Sequence, residues 1–134
     1  MVSLPLKIFL TLAGLIAVGL GGAILLVPVA FYAGYGLDID GQTTLINELR
    51  SHGLSLTGIG LFIMAGAVVA RLATTALAVS AFFYLSYGLS RLVGLALDGW
   101  PGQGLVMSGA VELAVGGLAL LIYVSRGQPA LSTR

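Results

Sequence analysis

Four ionisable side chains lie in or beside long apolar runs of this sequence: Glu48, Arg50, Arg91 and Glu112. Two carboxylates and two guanidiniums balance in charge, and each is costly to leave unpaired in an apolar surrounding. Such a set supports three kinds of chemistry. It can be an ion-pair network that fixes helix register, a site for a ligand or a proton, or a contact with a partner protein. The polar neighbours fall at helical spacing. Tyr84, Tyr87 and Arg91 share a face at intervals of three and four, and Ser108 lies one turn from Glu112. Glu48, Ser51, His52 and Ser55 follow the same rule. His52, Ser55, Tyr84, Tyr87 and Ser108 are therefore candidates to line a pocket open to the outer side. The structural alternative stands beside this one, because an ion-pair network can serve register and topology alone.

Other chemistries are excluded. There is no cysteine, hence no disulfide, thiolate metal site or cysteine redox chemistry. His52 is the single histidine, so one subunit cannot build a multi-histidine metal or haem site, and His52 reads as an interfacial polar residue rather than a catalytic base. No GxGxxG follows a strand and no P-loop lysine occurs, so no cofactor is implied. A net charge of +1 supplies no basic patch for nucleic acid. No second catalytic group accompanies Glu112, and the expectation is that the protein is not an enzyme.

The elements that carry these residues follow from composition. Charged residues make up 8% of the chain and hydrophobic ones 58%, where a soluble domain has about a quarter charged. Mean hydropathy is +1.08. So few charges cannot cover a water-facing surface, and the solvent for most of the chain must be lipid. Apolar runs extend over about 6–31, 45–70, 73–97 and 105–124, near or beyond the ~20 residues that cross a bilayer. They lack the alternation of strands. The expected fold is all-α: an integral membrane four-helix bundle, up-down-up-down, forming one transmembrane domain with no soluble domain. The first run is too long for the ~7–15-residue core of a signal peptide, and it is expected to be retained as a helix.

Local punctuation agrees. Pro28 and Gly34-Tyr35-Gly36 are expected to end the first helix, Thr44 to N-cap the second, and Asp98-Gly99-Trp100-Pro101-Gly102 to turn the third into the fourth. Trp100 stands where an aromatic ring anchors at headgroup level. Gly127 and Pro129 stop the last helix before a short polar tail. Lys7, Arg71, Arg126 and Arg134 fall on one side of this layout, and Asp38, Asp40 and Asp98 on the other. Basic residues stay inside, which predicts a multi-pass membrane protein with both termini and the Arg71 hairpin cytoplasmic. The four buried charges then occupy the outer half of the membrane. Arg91 and Glu112 lie at similar depth on antiparallel neighbours and are expected to pair, whereas Glu48 and Arg50, two positions apart, point away from each other. Gly14, Gly19, Gly21, Gly22, Gly116 and Gly117 are expected to allow close helix approach.

The order of these features resembles a known family. An apolar helix ending in Pro28 and a Tyr-Gly turn is followed by Asn47-Glu48-Leu49-Arg50, glycines down the second helix, Gly88-Leu89-Ser90-Arg91, and Glu112. The pattern is similar to a family of small four-helix bacterial membrane proteins, domain of unknown function 4345, over nearly the whole chain. It is more loosely similar to the DoxX-like group, some of which sit beside redox systems. The first resemblance implies an architecture rather than a reaction. The functional expectation is an accessory or structural subunit of a membrane complex, or a small-ligand binder, with lipid and either a second copy or a larger membrane assembly as partners. The alternative is an oligomeric transporter or proton pathway through Glu112 and Arg91.

Overall fold

A computed structural model describes residues 1–127; Pro129, Arg134 and the tail expected there lie outside the described residues. The fold is all-α, with no strand among the described residues. Four helices are long and apolar enough to cross a bilayer: Leu4–Leu26, Thr43–Val68, Ala70–Asp98 and Gln103–Arg126. The chain divides into two compact units, Met1–Ala70 and Arg71–Arg134.

The first unit contains α1 (Leu4–Leu26), the short α2 (Pro28–Ala33) and α3 (Thr43–Val68). The sequence predicts one helix through Phe31, and here the structure differs. Helix α1 stops at Leu26, and Pro28 opens α2. A proline inside a helix removes an N–H and pushes its predecessor out of the α region. Val27 accordingly adopts φ −132 and ψ 54. Pro28 is better suited to a first helical position, where the missing N–H costs nothing. Helix α2 then ends in a Schellman closure: Leu37 N donates to the Tyr32 carbonyl at 3.1 Å and Gly36 N to the Ala33 carbonyl at 2.9 Å. Gly36 sits at φ 78, a value suited to glycine.

Thr44 is not the N-cap of α3. The helix begins at Thr43, Gln42 holds the cap position without a side-chain bond, and Ile46 N donates to the Gln42 carbonyl at 2.9 Å. The preceding loop supplies the reason. The Asp38 carboxylate accepts from Asp40 N at 3.1 Å, and the Gln42 side-chain amide donates to the Asp38 carbonyl at 3.0 Å. These bonds, with Ile39 buried, tie the loop down and start the helix before Thr44.

Helices α1 and α3 run antiparallel and meet backbone to backbone. A Cβ on Gly14 would lie 2.6 Å from the Gly60 carbonyl oxygen, and one on Gly21 would lie 2.7 Å from that of Gly53. The relation is reciprocal, with 2.7 Å separating a Gly60 Cβ from the Gly14 oxygen and a Gly53 Cβ from the Gly21 oxygen. Gly14–Gly21 and Gly53–Gly60 repeat at the seven-residue interval that keeps one stripe facing a partner helix. At Gly19, Gly22 and Gly58 an added Cβ would meet nothing within 4 Å.

The second unit contains α4 (Ala73–Asp98) and α5 (Gln103–Gly127), preceded by a 3₁₀ turn over Ala70–Leu72. Gly99 (φ 87) and Gly102 (φ 96) make the reversal between them. This antiparallel seam is glycine against leucine. A Cβ on Gly88 would lie 2.6 Å from Leu113 Cγ, and one on Gly116 would lie 2.7 Å from the backbone nitrogen of Leu85. Gly117, expected at an interface, meets nothing within 4 Å.

Position rather than residue type therefore decides what a glycine contributes. Gly21→Val and Gly53→Val should sharply lower the yield of monodisperse protein in mild detergent. Gly19→Ala and Gly22→Ala should leave it unchanged or raise thermal stability, because alanine is favoured over helical glycine by ~1 kcal/mol. Equal losses at all four positions would contradict the seam.

Candidate functional site

The chemistry of the second unit centres on Glu112, which is 7% exposed. Its Oε2 lies 3.6 Å from Arg91 Nε, and its Oε1 accepts from the Ser108 hydroxyl at 3.3 Å. Arg91 precedes the end of α4 by seven residues and Glu112 follows the start of α5 by nine, so both lie roughly 10–14 Å from the connecting turn. Antiparallel packing brings the two depths together. The stem of Arg91 passes over Gly109, where a Cβ would stand 3.1 Å from Arg91 Cβ and 3.2 Å from its Cγ. Gly109 thus admits the guanidinium to the seam. Ser108 reaches back one turn to hold the other carboxylate oxygen.

The pair is an ion-pair contact rather than a close hydrogen bond: neither Arg91 Nε nor Glu112 Oε2 has a hydrogen-bond partner among the described residues. Attraction remains strong at this distance because Glu112 is shielded from water.

The aromatic residues expected beside this pair form a packed cluster. Tyr84 is buried, and the Phe83 ring meets Tyr84 at 5.0 Å and Tyr87 at 4.9 Å between centroids. The Ser90 hydroxyl donates to the Tyr87 carbonyl at 2.7 Å. Ser80 is fully buried and has no hydrogen-bond partner for its hydroxyl among the described residues; composition and spacing carry no signal for that.

In the first unit, Arg50 has a different role from a side-chain ion pair. Its guanidinium donates to the Leu25 carbonyl and, at 3.4 Å, to that of Leu26. In an unbroken helix those two oxygens would accept from Val29 and Ala30. The break at Val27 orphans them, and a cation is favoured at a helix C-terminus. Arg50 therefore closes the end of α1. The signal was present in Pro28, which had to leave carbonyls unpaired upstream, but sequence alone does not bring position 50 to position 25.

Glu48 is exposed and has no side-chain partner among the described residues. The serines near it donate locally, Ser51 to the Asn47 carbonyl at 3.2 Å and Ser55 to the Ser51 carbonyl at 3.0 Å. His52 is half-buried, one turn before Ser55 on the same helix. Ser51 and Ser55 thus direct their hydroxyl protons into their own helix. Among the described residues no group of three or more His, Asp or Glu side chains is arranged to hold a metal ion.

These features define a class: an all-α protein of two glycine-seamed helical hairpins, one containing a buried Arg–Glu pair and the other an arginine-capped helix break. The chain belongs to the family of domain of unknown function 4345 (DUF4345), with the match covering residues 5–123. No curated protein and no solved structure matches it.

Two double-mutant cycles test the site. Arg91→Leu or Glu112→Leu alone should lower the detergent melting temperature, because each leaves a charge without its partner. The loss should fall below the ~3–5 kcal/mol of a wholly buried pair, since the Arg91 side chain is 36% exposed. The double leucine variant should recover much of it, and simple additivity would mean that the residues do not interact. Arg50→Leu should be destabilising in the native background and nearly neutral in a Pro28→Ala background, where a continuous helix supplies Leu25 and Leu26 with donors. The same penalty in both backgrounds would exclude capping of the break.

Proposed function

We propose that this chain is a multi-pass protein of the bacterial inner membrane. It crosses four times in up-down-up-down order as one transmembrane domain, with both termini cytoplasmic. It serves as an accessory or structural subunit of a membrane complex, or as a binder of a small ligand, without catalysis of its own. Large apolar side chains on every span-length helix support a lipid or protein surrounding, among them Leu26, Leu61, Phe82, Leu97 and Leu121, each more than half exposed. Arg71 stands at the start of the third of these helices and Arg126 at the end of the fourth, whereas Asp38 and Asp40 follow the first and Asp98 ends the third, in agreement with the positive-inside rule.

The observation that carries the non-catalytic reading is the way Glu112 is engaged. One oxygen faces Arg91, the other accepts from Ser108, and the arginine stem lies on Gly109. A carboxylate held on both sides and 7% exposed is well placed to fix the pairing of α4 with α5. The partners that fit the apolar faces are lipid, a second copy of the chain, or a larger membrane assembly.

Purification from native membranes should show the protein migrating with such an assembly, and proteoliposomes of the protein alone should hold a proton gradient. A periplasm-specific reporter should be active when inserted near Gly41 and inactive when fused after Arg134. A proton leak abolished by Glu112→Gln would replace this reading with the transport alternative, and reversed reporter activity would invert the topology.

A further inference from the structure

A cleft of about 190 Å³ opens at the α4–α5 turn, lined by Ser90, Arg91, Gly94, Asp98, Trp100 and Leu105 among others. It is smaller than the ~300–1,000 Å³ typical of drug-sized ligands, so it suits a compact polar group. The two ends of the cleft differ in charge. Arg91 contacts Glu112 through Nε, which leaves its two terminal guanidinium nitrogens outside that contact. Asp98 follows seven positions later, two turns or roughly 10 Å along the same face.

Asp98 is anomalous where it stands. It is the last residue of α4, where the helix dipole favours a cation and disfavours a carboxylate. No donor or cation among the described residues meets it, and no backbone N–H of residues 99–102 closes the terminal carbonyls of α4. A carboxylate and a set of open helix-end carbonyls therefore converge without a positive partner. Between the two charges Gly94 keeps the floor low: the nearest atom to a Cβ placed there is Asp98 Oδ2, at 3.8 Å. Trp100, 69% exposed, forms the rim.

We propose that this cleft holds the headgroup of an amine-bearing zwitterionic phospholipid, with its phosphate on Arg91 and its ammonium on Asp98. The inference deepens the small-ligand reading and rests on the membrane setting given above. The order of charges suits a lipid, because the phosphate lies nearer the acyl chains and Arg91 lies deeper from the turn than Asp98. The ammonium donates to Asp98 and to the open carbonyls, offsetting the anomaly at the helix end. A choline headgroup has no N–H to donate. A glycerol headgroup leaves Asp98 without a cation and adds a second uncompensated anion.

Trp100 is the single tryptophan of the chain and reports on this cleft alone. The purified full chain, delipidated in a constant concentration of mild detergent, is titrated with short-chain phosphatidylethanolamine, phosphatidylcholine and phosphatidylglycerol. A saturable change in Trp100 emission is expected for the first, with the other two at least roughly tenfold weaker, the effect of one charge-assisted hydrogen bond. Asp98→Asn should abolish that preference. Gly94→Leu should remain monodisperse, since a Cβ there meets only the Asp98 side chain, at the ordinary contact distance of 3.8 Å, and should lose binding by filling the cleft. Equal affinity for the three lipids, a preference that survives Asp98→Asn, or unchanged binding by Gly94→Leu overturns the proposal. Soluble phosphoethanolamine binding as tightly as the lipid also overturns it, in favour of a free ligand. Equal lipid affinities in a protein that still migrates with a larger assembly would defeat the headgroup site and leave the accessory reading standing.

Discussion

A chain with so few charged residues has to satisfy its polar groups from within. Backbone groups that meet no water cost several kcal/mol each if unpaired, and helices solve this for every residue except those at their ends and breaks. The described structure is arranged around those exceptions. The break at Val27 leaves carbonyls that Arg50 takes up. The end of α2 is closed by its own backbone through Gly36. The loop before α3 is closed by Asp38 and Gln42. The end of α4 has no such closing bond from residues 99–102, and it coincides with the cleft.

The two hairpins solve helix packing in different ways. In the first, paired glycines let the α1 and α3 backbones approach until the carbonyl of each helix faces the Cα of the other, a geometry compatible with weak Cα–H···O contacts. Nothing polar is needed in that seam. In the second, glycines receive leucine side chains, and one of them, Gly109, receives the stem of an arginine. A dispersion-only seam tolerates sliding by a turn, whereas a charge with one partner does not. The Arg91–Glu112 pair therefore contributes register more than stability, consistent with the small net gain expected of buried ion pairs.

Arg50 and Arg91 show how one residue type divides its work by context. Both carry guanidiniums on span-length helices. Arg50 meets two backbone carbonyls that proline made available, so its positive charge completes a helix end. Arg91 meets a carboxylate through one nitrogen and retains its other donors at a cleft. The planar, permanently charged fork suits both tasks, and a lysine would offer a single point in place of the fork.

The number of span-length helices, their all-α character, the turn at Gly99–Gly102 and the contact of Arg91 with Glu112 were legible in the sequence. Hydropathy over ~20-residue runs is a local property, and two opposite charges at matched depth on helices joined by a tight turn have few other options. The helix break was half legible: Pro28 marked the place, but whether a proline ends a helix or starts the next depends on the path of the following chain. The glycines were legible as a composition and illegible as a pattern, since Gly21 and Gly22 are neighbours in sequence and only Gly21 faces a partner. Arg50 on Leu25, Gly109 beneath Arg91 and the open carboxylate of Asp98 belong to tertiary structure alone. Each depends on the rotation of one helix about its axis against another, and a one-residue shift turns a helical side chain by about 100°. Sequence periodicity locates an apolar stripe to within such a step, while packing selects the residue within it.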